Sequence, residues 1–599
     1  MRLAVWFGLL TGIGEVICLG IQKYLLGKSL FLGPHIIWMA PLADLSLFAL
    51  LGLLLSALSR RWPRLAQMRI AVSLFAFFGF LSWLLIFPRL QAHAVLLLAS
   101  GLAVQTARLI TPRAPSFQVF ITQATRWMLA AVAALMVGTY GWQQFAEARA
   151  LGQLPPSALG APNVLLIVLD TVRAQSLSLY GYPRSTTPRL ERFAKNGVRF
   201  ERTLSTAPWT TPAHASLFTG RFPHELSADW DVPLDATHPT LAESLRAHGY
   251  ATAGFVANTI ACGYETGLDR GFLHYEDFQV TLPELIISSS LCRAVIHNPA
   301  LRRLAGSHQI FARKTASDVN RDFLAWLSRQ PRRPFFAFLN YFDAHEPYLP
   351  PATFDTQFGA KTVNKSFSVT HRLRLAWRSD REQISPQENQ TEINSYDGAI
   401  AYLDQQLGLL FDELERRGAL ANTLVIITAD HGEAFGEHGR YTHGDSLYLT
   451  LLHVPLLISF PARVPAGASL VEPVSLRDLA ATVMDLIELD GASPFPGESL
   501  ARYWNGARRL DDRASPLLSE TNLAPLQPHK FPPGARAEMK SLVLGGYHYI
   551  RNHDGCEEVY NIVNDPLELR DAASSEAGRR MIEDSRKFLN TDRSARHAD

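Results

Sequence analysis

The sequence predicts five transmembrane helices followed by an α/β domain with a mostly parallel central sheet and a small C-terminal α+β subdomain. Three observations predict it. Before about residue 145 the chain is a series of long apolar segments, and after it the composition is globular. From Asn163 onward, short β-branched runs alternate with amphipathic segments, the order that a doubly wound fold requires. Several of those runs discharge into acids and imidazoles, as strands do where an open α/β sheet gathers its ligands. At 599 residues the chain is too long for one core. A formal net charge of +2 with no basic run gives no sign of nucleic acid as a partner.

The apolar segments lie at roughly 3–22, 36–57, 70–88, 93–108 and 127–145. Most approach the ~20 residues that a helix needs to cross a bilayer, though the fourth is short. Glu15 interrupts the first, no clear cleavage site follows it, and further segments come after, so it reads as a span and not as a signal peptide. Arg2, Arg60, Arg61, Arg64, Arg69, Arg108, Arg113 and Arg126 fall on one side, against Lys23, Lys28 and Arg89 on the other. The positive-inside rule makes the first side cytoplasmic. An odd number of spans then puts everything after residue 145 outside the cytoplasm, on the periplasmic face of a bacterial-type inner membrane with its lipid bilayer as a partner. Glu15 and Asp44 are acids within spans, which costs free energy unless they are paired or serve a function. Either a functional role or a shared proton that ties helices together accounts for them.

The stretch GQLPPSALGAP, 152–162, has linker composition. Asn163–Leu169 (NVLLIVL) is predicted as a buried strand ending in Asp170, and Leu424–Thr428 as a second, ending in Asp430 and His431 with His438 and His443 on the glycine-rich loop beyond. Asp170 and Asp430 thus converge at one sheet edge although 260 positions separate them. A hard carboxylate oxygen beside an imidazole nitrogen points to a metal or phosphate site. In APWTTPAHASLFTG, 207–220, Pro212 suits a first helical turn with Thr210 and Thr211 at its cap. An ordinary capped helix explains that pattern, and so does a helix N-terminus favouring negative charge at Thr210.

Helices are expected over Thr187–Asn196, Pro239–His248 and Glu392–Arg416, and strands over Thr252–Val256, Phe335–Tyr341 and Pro455–Ser459. The strand FFAFLNYF ends in DAHEPYLPP, which makes His345 a candidate oxyanion donor beside the alternative of a solvated turn. Residues 281–318 mix Leu282, Leu285, Ile286 and Ile287 with Arg293, Arg302, Arg303 and Arg313, either a membrane-surface segment or a buried helix pair. Residues 362–390 read as an exposed polar loop. A bridge between Cys262 and Cys292 is permitted outside the cytoplasm but not required.

Six blocks resemble, in order from Pro162 to about Arg570, the sulfatase family of the alkaline phosphatase superfamily. They are NVLLIVLDTVRAQSLSLYGYPRSTTPRLERFA, PWTTPAHASLFTGRFP, GFVAN with GLDRGF, NYFDAHEPY, ITADHGEAFGEHG with THGDSLY, and GYHYIRN with EEVYNIVNDP. The apolar segments give a transmembrane domain at 1–148 and the composition a linker at 149–161; the resemblance implies a catalytic domain at 162–505 and a C-terminal subdomain at 506–599 that completes the sulfatase fold. It further implies one divalent metal held by Asp170, Asp430, His431 and the nucleophile position, Thr210. His345 and His443 match positions that contact the ester oxygens or the leaving group. Mixed oxygen and nitrogen ligands suit zinc or manganese, with calcium or magnesium less favoured.

The departures bear on the chemistry. Sulfatases read CxPxR or SxPxR, with the Cys or Ser converted to formylglycine; here the string is TTPAH, with Thr210 at the nucleophile and His214, a substrate-binding candidate, where Arg stands. Thr171 replaces the second Asp of a DD pair, and Gln175 stands where a related subgroup has Asp. A threonine nucleophile below five spans is similar to the phosphoethanolamine transferases and lipoteichoic acid synthases. The reading that follows is a metal-dependent hydrolase or transferase, cleaving a phosphoester of an extracytoplasmic lipid or envelope glycan through Thr210. One alternative is a sulfuric ester hydrolase that acts without formylglycine. Another is an inactive membrane scaffold, against which the filled ligand positions count.

Overall fold

The structure is a computed structural model and describes residues 1–87, 90–296, 313–330, 333–359, 384–489, 493–505, 516–523 and 537–596. The chain divides into two compact units, Met1–Gly152 with Phe278–Arg313, and Gln153–Asp277 with Lys314–Asp599.

The first unit is helical: α1 (Arg2–Tyr24), α2 (Ile36–Arg61), α3 (Met68–Leu85), α4 (Ala92–Ile110) and α5 (Ala114–Gly152). By length and apolarity it holds four candidate spans, where the sequence predicts five, because α4 and α5 fall in one stretch of 61 residues, Ala92–Gly152. A 3-10 turn at Thr111–Arg113 parts the two. Small residues let α1 and α2 approach closely: a Cβ on Gly12 would meet Pro41 Cα at 2.4 Å. Most of the segment that the sequence left between membrane surface and buried helix pair, 281–318, belongs to this unit, where its described part forms α9 (Leu282–Ser288) and α10 (Ser290–Ile296), packed on α2 and α3; from Lys314 it belongs to the second unit, in which helix Ala316–Leu327 begins. Arg302 and Arg303 lie outside the described residues, as does Arg89.

The second unit is built on a nine-stranded sheet. Its strands are β1 (Asn163–Leu169), β2 (Val198–Leu204), β3 (Ala251–Val256), β4 (His274–Glu276), β5 (Phe335–Tyr341), β6 (Thr423–Thr428), β9 (His453–Ser459), β10 (Ala468–Leu470) and β11 (Val474–Ser475). The order is β10-β2-β9-β6-β1-β5-β3-β4, with β11 also on β2. All pairings are parallel except those of β9, which runs against both β2 and β6. β1 is central and buried on both faces, which is why it reads as an unbroken apolar run. Its register sets Leu169 beside Tyr341 and Val168 beside Thr428, so the carboxyl ends of β1, β5 and β6 share one edge. A short hairpin, β7 (Ala434–Phe435) and β8 (Tyr441–Thr442), lies beyond that edge. A separate four-stranded antiparallel sheet follows: β12 (Leu517–Asn522), β13 (Glu538–Leu544), β14 (Tyr547–Arg551) and β15 (Glu557–Asn561), with helix Glu576–Arg596 after it.

Helices α6 (Pro188–Phe193), α7 (Thr210–Thr219) and α8 (Leu241–Ala247) are each shorter than the periodicity suggests or differently started. The long helix predicted from Glu392 starts at Pro386, because Ser385 and Glu388 form a capping box there. Residues 386–390 are therefore helical and not loop; 362–383 lie outside the described residues. Cys262 and Cys292 are both free thiols.

Candidate active site

Four parallel strands deliver side chains to the same edge. Asp170 follows β1, Asn258 follows β3, His345 follows β5, and Asp430 and His431 follow β6. Ligand atoms of Asp170, Asp430 and His431 lie within 4.8 Å of one another, and all three residues are fully buried. Asn258 Nδ2 donates to Asp170 Oδ2 at 2.8 Å, and the N–H groups of Thr171 and His431 donate to Asp430 Oδ1 at 3.2 and 2.9 Å. The other oxygens, Asp170 Oδ1 and Asp430 Oδ2, are buried with no hydrogen-bond partner among the described residues. Burial first, then the neighbouring Asp430, pushes Asp170 up to about 8, and burial pushes Asp430 up to about 7. Two buried carboxyls with an orphaned oxygen each form a site whose missing element is positive charge.

His431 turns an unprotonated ring nitrogen towards the carboxylates. Its Nδ1 lies 3.0 Å from the Gly432 carbonyl, which can only accept, so Nδ1 carries the hydrogen and Nε2 presents its lone pair. Burial holds the ring well below the usual imidazole range, at about 4. Nε2 is 3.4 Å from Asp430 Oδ2 and 3.2 Å from Thr210 Oγ1. The donor set of two carboxylates, one imidazole and one hydroxyl fits a divalent cation.

Thr210 opens α7. The sequence puts it at the cap, but the cap is Trp209, whose side chain makes no capping hydrogen bond to the start of α7. Thr171 has φ +62°, uncommon for a β-branched residue, and that conformation aims its N–H at Asp430. Gln175 instead donates to the Leu449 carbonyl at 3.3 Å. His443, 4 % exposed, stands with its ring 4.5 Å from that of His431 and 5.0 Å from Trp209. Its Nδ1 is 2.9 Å from Glu433 Oε1. His345 is half-buried with its ring 4.9 Å from His443.

His214 is fully buried behind Thr210: Nδ1 donates to the Thr210 carbonyl at 2.9 Å and lies 3.6 Å from Asp430 Oδ2. Burial depresses it to about 4, so it is a neutral neighbour of the carboxylates. His438 goes elsewhere and stacks on Tyr448 at 3.7 Å. Sequence reasoning did not single out Asn258 or Glu433. Asn258 carried the same signal as the ligands, a polar residue just past a buried strand, and Glu433 lay inside the cluster of acids after β6.

The chain is similar to known proteins in sequence and in fold. The chain is 26 % identical over 446 residues to the choline-sulfatase of Rhizobium meliloti (strain 1021), covering 70 % of this chain and 84 % of that one. Among solved structures, the phosphonate monoester hydrolase of Agrobacterium radiobacter shares the fold with a TM-score of 0.57 at 22 % identity, covering 72 % of this chain and 96 % of that one. The phosphonate monoester hydrolase SpPMH from Silicibacter pomeroyi does so with a TM-score of 0.55 at 20 % identity, covering 72 % and 95 %. These relatives are ester hydrolases, and metal dependence is typical of them. The sulfatase family model matches residues 162–489, more than half of the chain and the whole span that carries the carboxylates, the imidazoles and Thr210; this chain belongs to the sulfatase family and is an ester hydrolase by that membership.

Proposed function

We propose that the protein is a membrane-anchored, metal-dependent sulfatase-family hydrolase or transferase that cleaves a phosphoester through Thr210, on an extracytoplasmic lipid or envelope glycan. The observation that carries this reading is the Thr210 hydroxyl. It is buried, 3.2 Å from the lone-pair nitrogen of His431, at the uncapped start of α7 and beside two orphaned carboxylate oxygens.

Asp170, Asp430, His431 and Thr210 would hold one divalent ion, with zinc or manganese favoured by the mixed donors. The chemistry that such an ion supplies when bound is positive charge, which favours the ionised hydroxyl and withdraws electrons from the ester. Thr210 Oγ1 gives its proton to water and forms the bond to phosphorus as the bond to the leaving oxygen breaks. The N–H groups of Thr210 and Thr211, at the start of α7, meet the charge on the non-bridging oxygens. Nε2 of His443, or the His345 ring, donates a proton to the leaving oxygen. Water then resolves the phosphothreonine in a hydrolase, or an acceptor alcohol does so in a transferase. His214, neutral and buried, holds the Thr210 carbonyl and borders Asp430, a role behind the substrate and not upon it.

Five spans and a periplasmic active site fit the packing of the helical unit. Trp6 meets Phe117 at 5.3 Å and His35, beyond the end of α1, meets Tyr140 at 5.0 Å, so α5 runs alongside α1 in the same direction. That requires α4 to return the chain between them. With the basic residues inside, the catalytic unit lies outside the cytoplasm.

The relatives named for sulfate esters favour a second reading, sulfuric ester hydrolysis by unmodified Thr210. Intact and peptide mass spectrometry after incubation with phosphoesters, together with elemental analysis, separates the two. Phosphate on Thr210 with about one metal per chain supports the phosphoryl route. An unmodified Thr210 together with turnover of sulfate esters supports the second. Turnover of neither ester class by metal-loaded protein rejects both.

A further inference from the structure

Residues 278–313 interrupt the catalytic sequence yet belong to the helical unit. Within it α9 and α10 are two short helices broken at Ser289, whose φ of −72° and ψ of 129° are extended. The break is fully buried and meets the two intramembrane acids. Ser289 Oγ donates to Asp44 Oδ1 at 2.6 Å, and the Ser290 N–H donates to both oxygens of Glu15 at 3.1 Å. Ser82 of α3 donates to Glu15 as well. Glu15, Asp44, Ser82 and Ser289 are all 0 % exposed. Cys292 N–H lies 3.4 Å from Ser289 Oγ, so the same serine caps α10. Arg293 turns back on the carbonyls of Ile287 and Ser288, at 3.0 and 3.1 Å, and serves the other side of the break. Leu285 packs with Leu9, Trp38, Met39 and Val132.

Glu15 lies nine residues before the end of α1 and Asp44 eight after the start of α2, about 12–14 Å along each helix from the loop that joins them. At that depth a broken backbone persists only if protein groups satisfy it, since no water or lipid will. Each acid supplies acceptors at the break, and the break supplies the donors without which a buried carboxylate is costly.

We propose that residues 282–296 are a re-entrant hairpin seated within the membrane among α1, α2 and α3, and that Glu15 and Asp44 are its docking residues. The catalytic sequence thereby supplies a membrane element of its own. The flanking residues of the second unit are tied to each other, since Lys314 Nζ donates to the Glu276 carbonyl at 2.8 Å.

The test uses the full-length chain in lipid nanodiscs with Cys18→Ser, Cys262→Ala and Cys556→Ser, leaving Cys292 on α10 as the reporter for a membrane-impermeant maleimide. Ser290→Pro is the sharpest perturbation. Ser290 is the first residue of α10, where proline fits, and the extended Ser289 suits a residue before proline, so the change deletes the N–H and the hydroxyl that Ser290 gives to Glu15 and little else. Slow labelling is expected in the parent, roughly tenfold faster labelling in Ser290→Pro and in Glu15→Ala, and no further gain in the double variant. Glu15→Gln, which keeps an acceptor oxygen, restores slow labelling. Should Glu15→Ala fail to fold, Ser289→Ala against Asp44→Ala provides the same cycle. Parent labelling as fast as that of a variant carrying only the exposed Cys556 would overturn the proposal. So would a Ser290→Pro rate unchanged from the parent, or single effects that multiply to about a hundredfold.

Discussion

Thr210→Val removes one oxygen and separates a nucleophile from a bystander. Thr210 is 1 % exposed, and valine keeps its β-branch and nearly its volume, so the start of α7 should hold. The stability at risk is about 1 kcal/mol, the worth of one hydrogen bond to His431. If Thr210 Oγ1 forms the bond to phosphorus, the covalent route is lost outright. Loss of a hydroxyl nucleophile elsewhere costs about 10⁴–10⁶ in kcat, or roughly 5–8 kcal/mol at 1.36 kcal/mol per decade. If the hydroxyl merely supports His431 while water attacks, the loss is that of a supporting group, about 10–100-fold. The two windows do not overlap. The assay is kcat/KM on p-nitrophenyl phosphate, a phenylphosphonate ester and p-nitrophenyl sulfate, with metal content and Tm measured on the same samples. Thr210→Ser, which keeps the hydroxyl, should stay within about a hundredfold of the parent. A Thr210→Val protein that keeps its metal and its fold and retains more than about 1 % of activity would refute the nucleophile assignment.

Other residues make separate predictions. Glu433→Ala removes the 2.9 Å partner of His443 Nδ1 and should lower kcat about 10–100-fold at unchanged metal content, with Glu433→Gln recovering most of it. An equal loss in both variants would mean that charge, not orientation, is what Glu433 provides. Chelation leaves Asp170 and Asp430 without a counter-charge. Protein saturated at about a hundred times Kd should lose about 2.7 kcal/mol, read as a drop in Tm that added metal reverses; no drop would argue against a cation between them. Away from the site, Glu520 is buried, which alone would raise its pKa, but the hydrogen bond from His224 and the Lys540 ammonium 2.8 Å away win and hold it at about 2. A depressed carboxyl contributes stability above its unfolded value near 4.5 and loses it as pH falls through 2, here about 3 kcal/mol. Lys540→Met should therefore cost about 3–5 kcal/mol at pH 7 and flatten that acid limb in chemical denaturation. A parent-like pH profile in Lys540→Met would show that His224 alone holds the charge.

The parts of the fold that were legible are those written in local chemistry. Asn163–Leu169 and Thr423–Thr428 are strands because each is apolar on both faces, and burial on both faces is what a parallel sheet imposes. From two such strands ending in Asp170 and Asp430, a shared edge follows by parallelism alone, and the ligand atoms meet there. The start of α7 was placed a little late because proline at Pro212 marks a first turn, yet a helix can begin before its proline when the preceding residues already have helical torsions. The fourth and fifth predicted spans fall in one 61-residue candidate span, Ala92–Gly152, because only a 3-10 turn at Thr111–Arg113 parts α4 from α5. Glu433 and Asn258 escaped notice for a different reason. Neither binds by its own spacing; each matters through a partner, His443 or Asp170, that only the folded loop supplies.

Glu15 and Asp44 mark the limit of such reading. An acid in an apolar helix is visible in any sequence, because its burial costs more than its neighbours can repay. What satisfies it is not visible, since Ser289 follows Asp44 by 245 positions and Ser290 follows Glu15 by 275. The partner segment is also ambiguous by itself: α9 has seven residues and α10 seven, too short to cross a bilayer and too apolar for a solvated loop. Those two ambiguities resolve together. A pair of short helices needs acceptors for the donors at their break, and two buried acids need donors; neither is stable at that depth alone, and together each removes the other's cost.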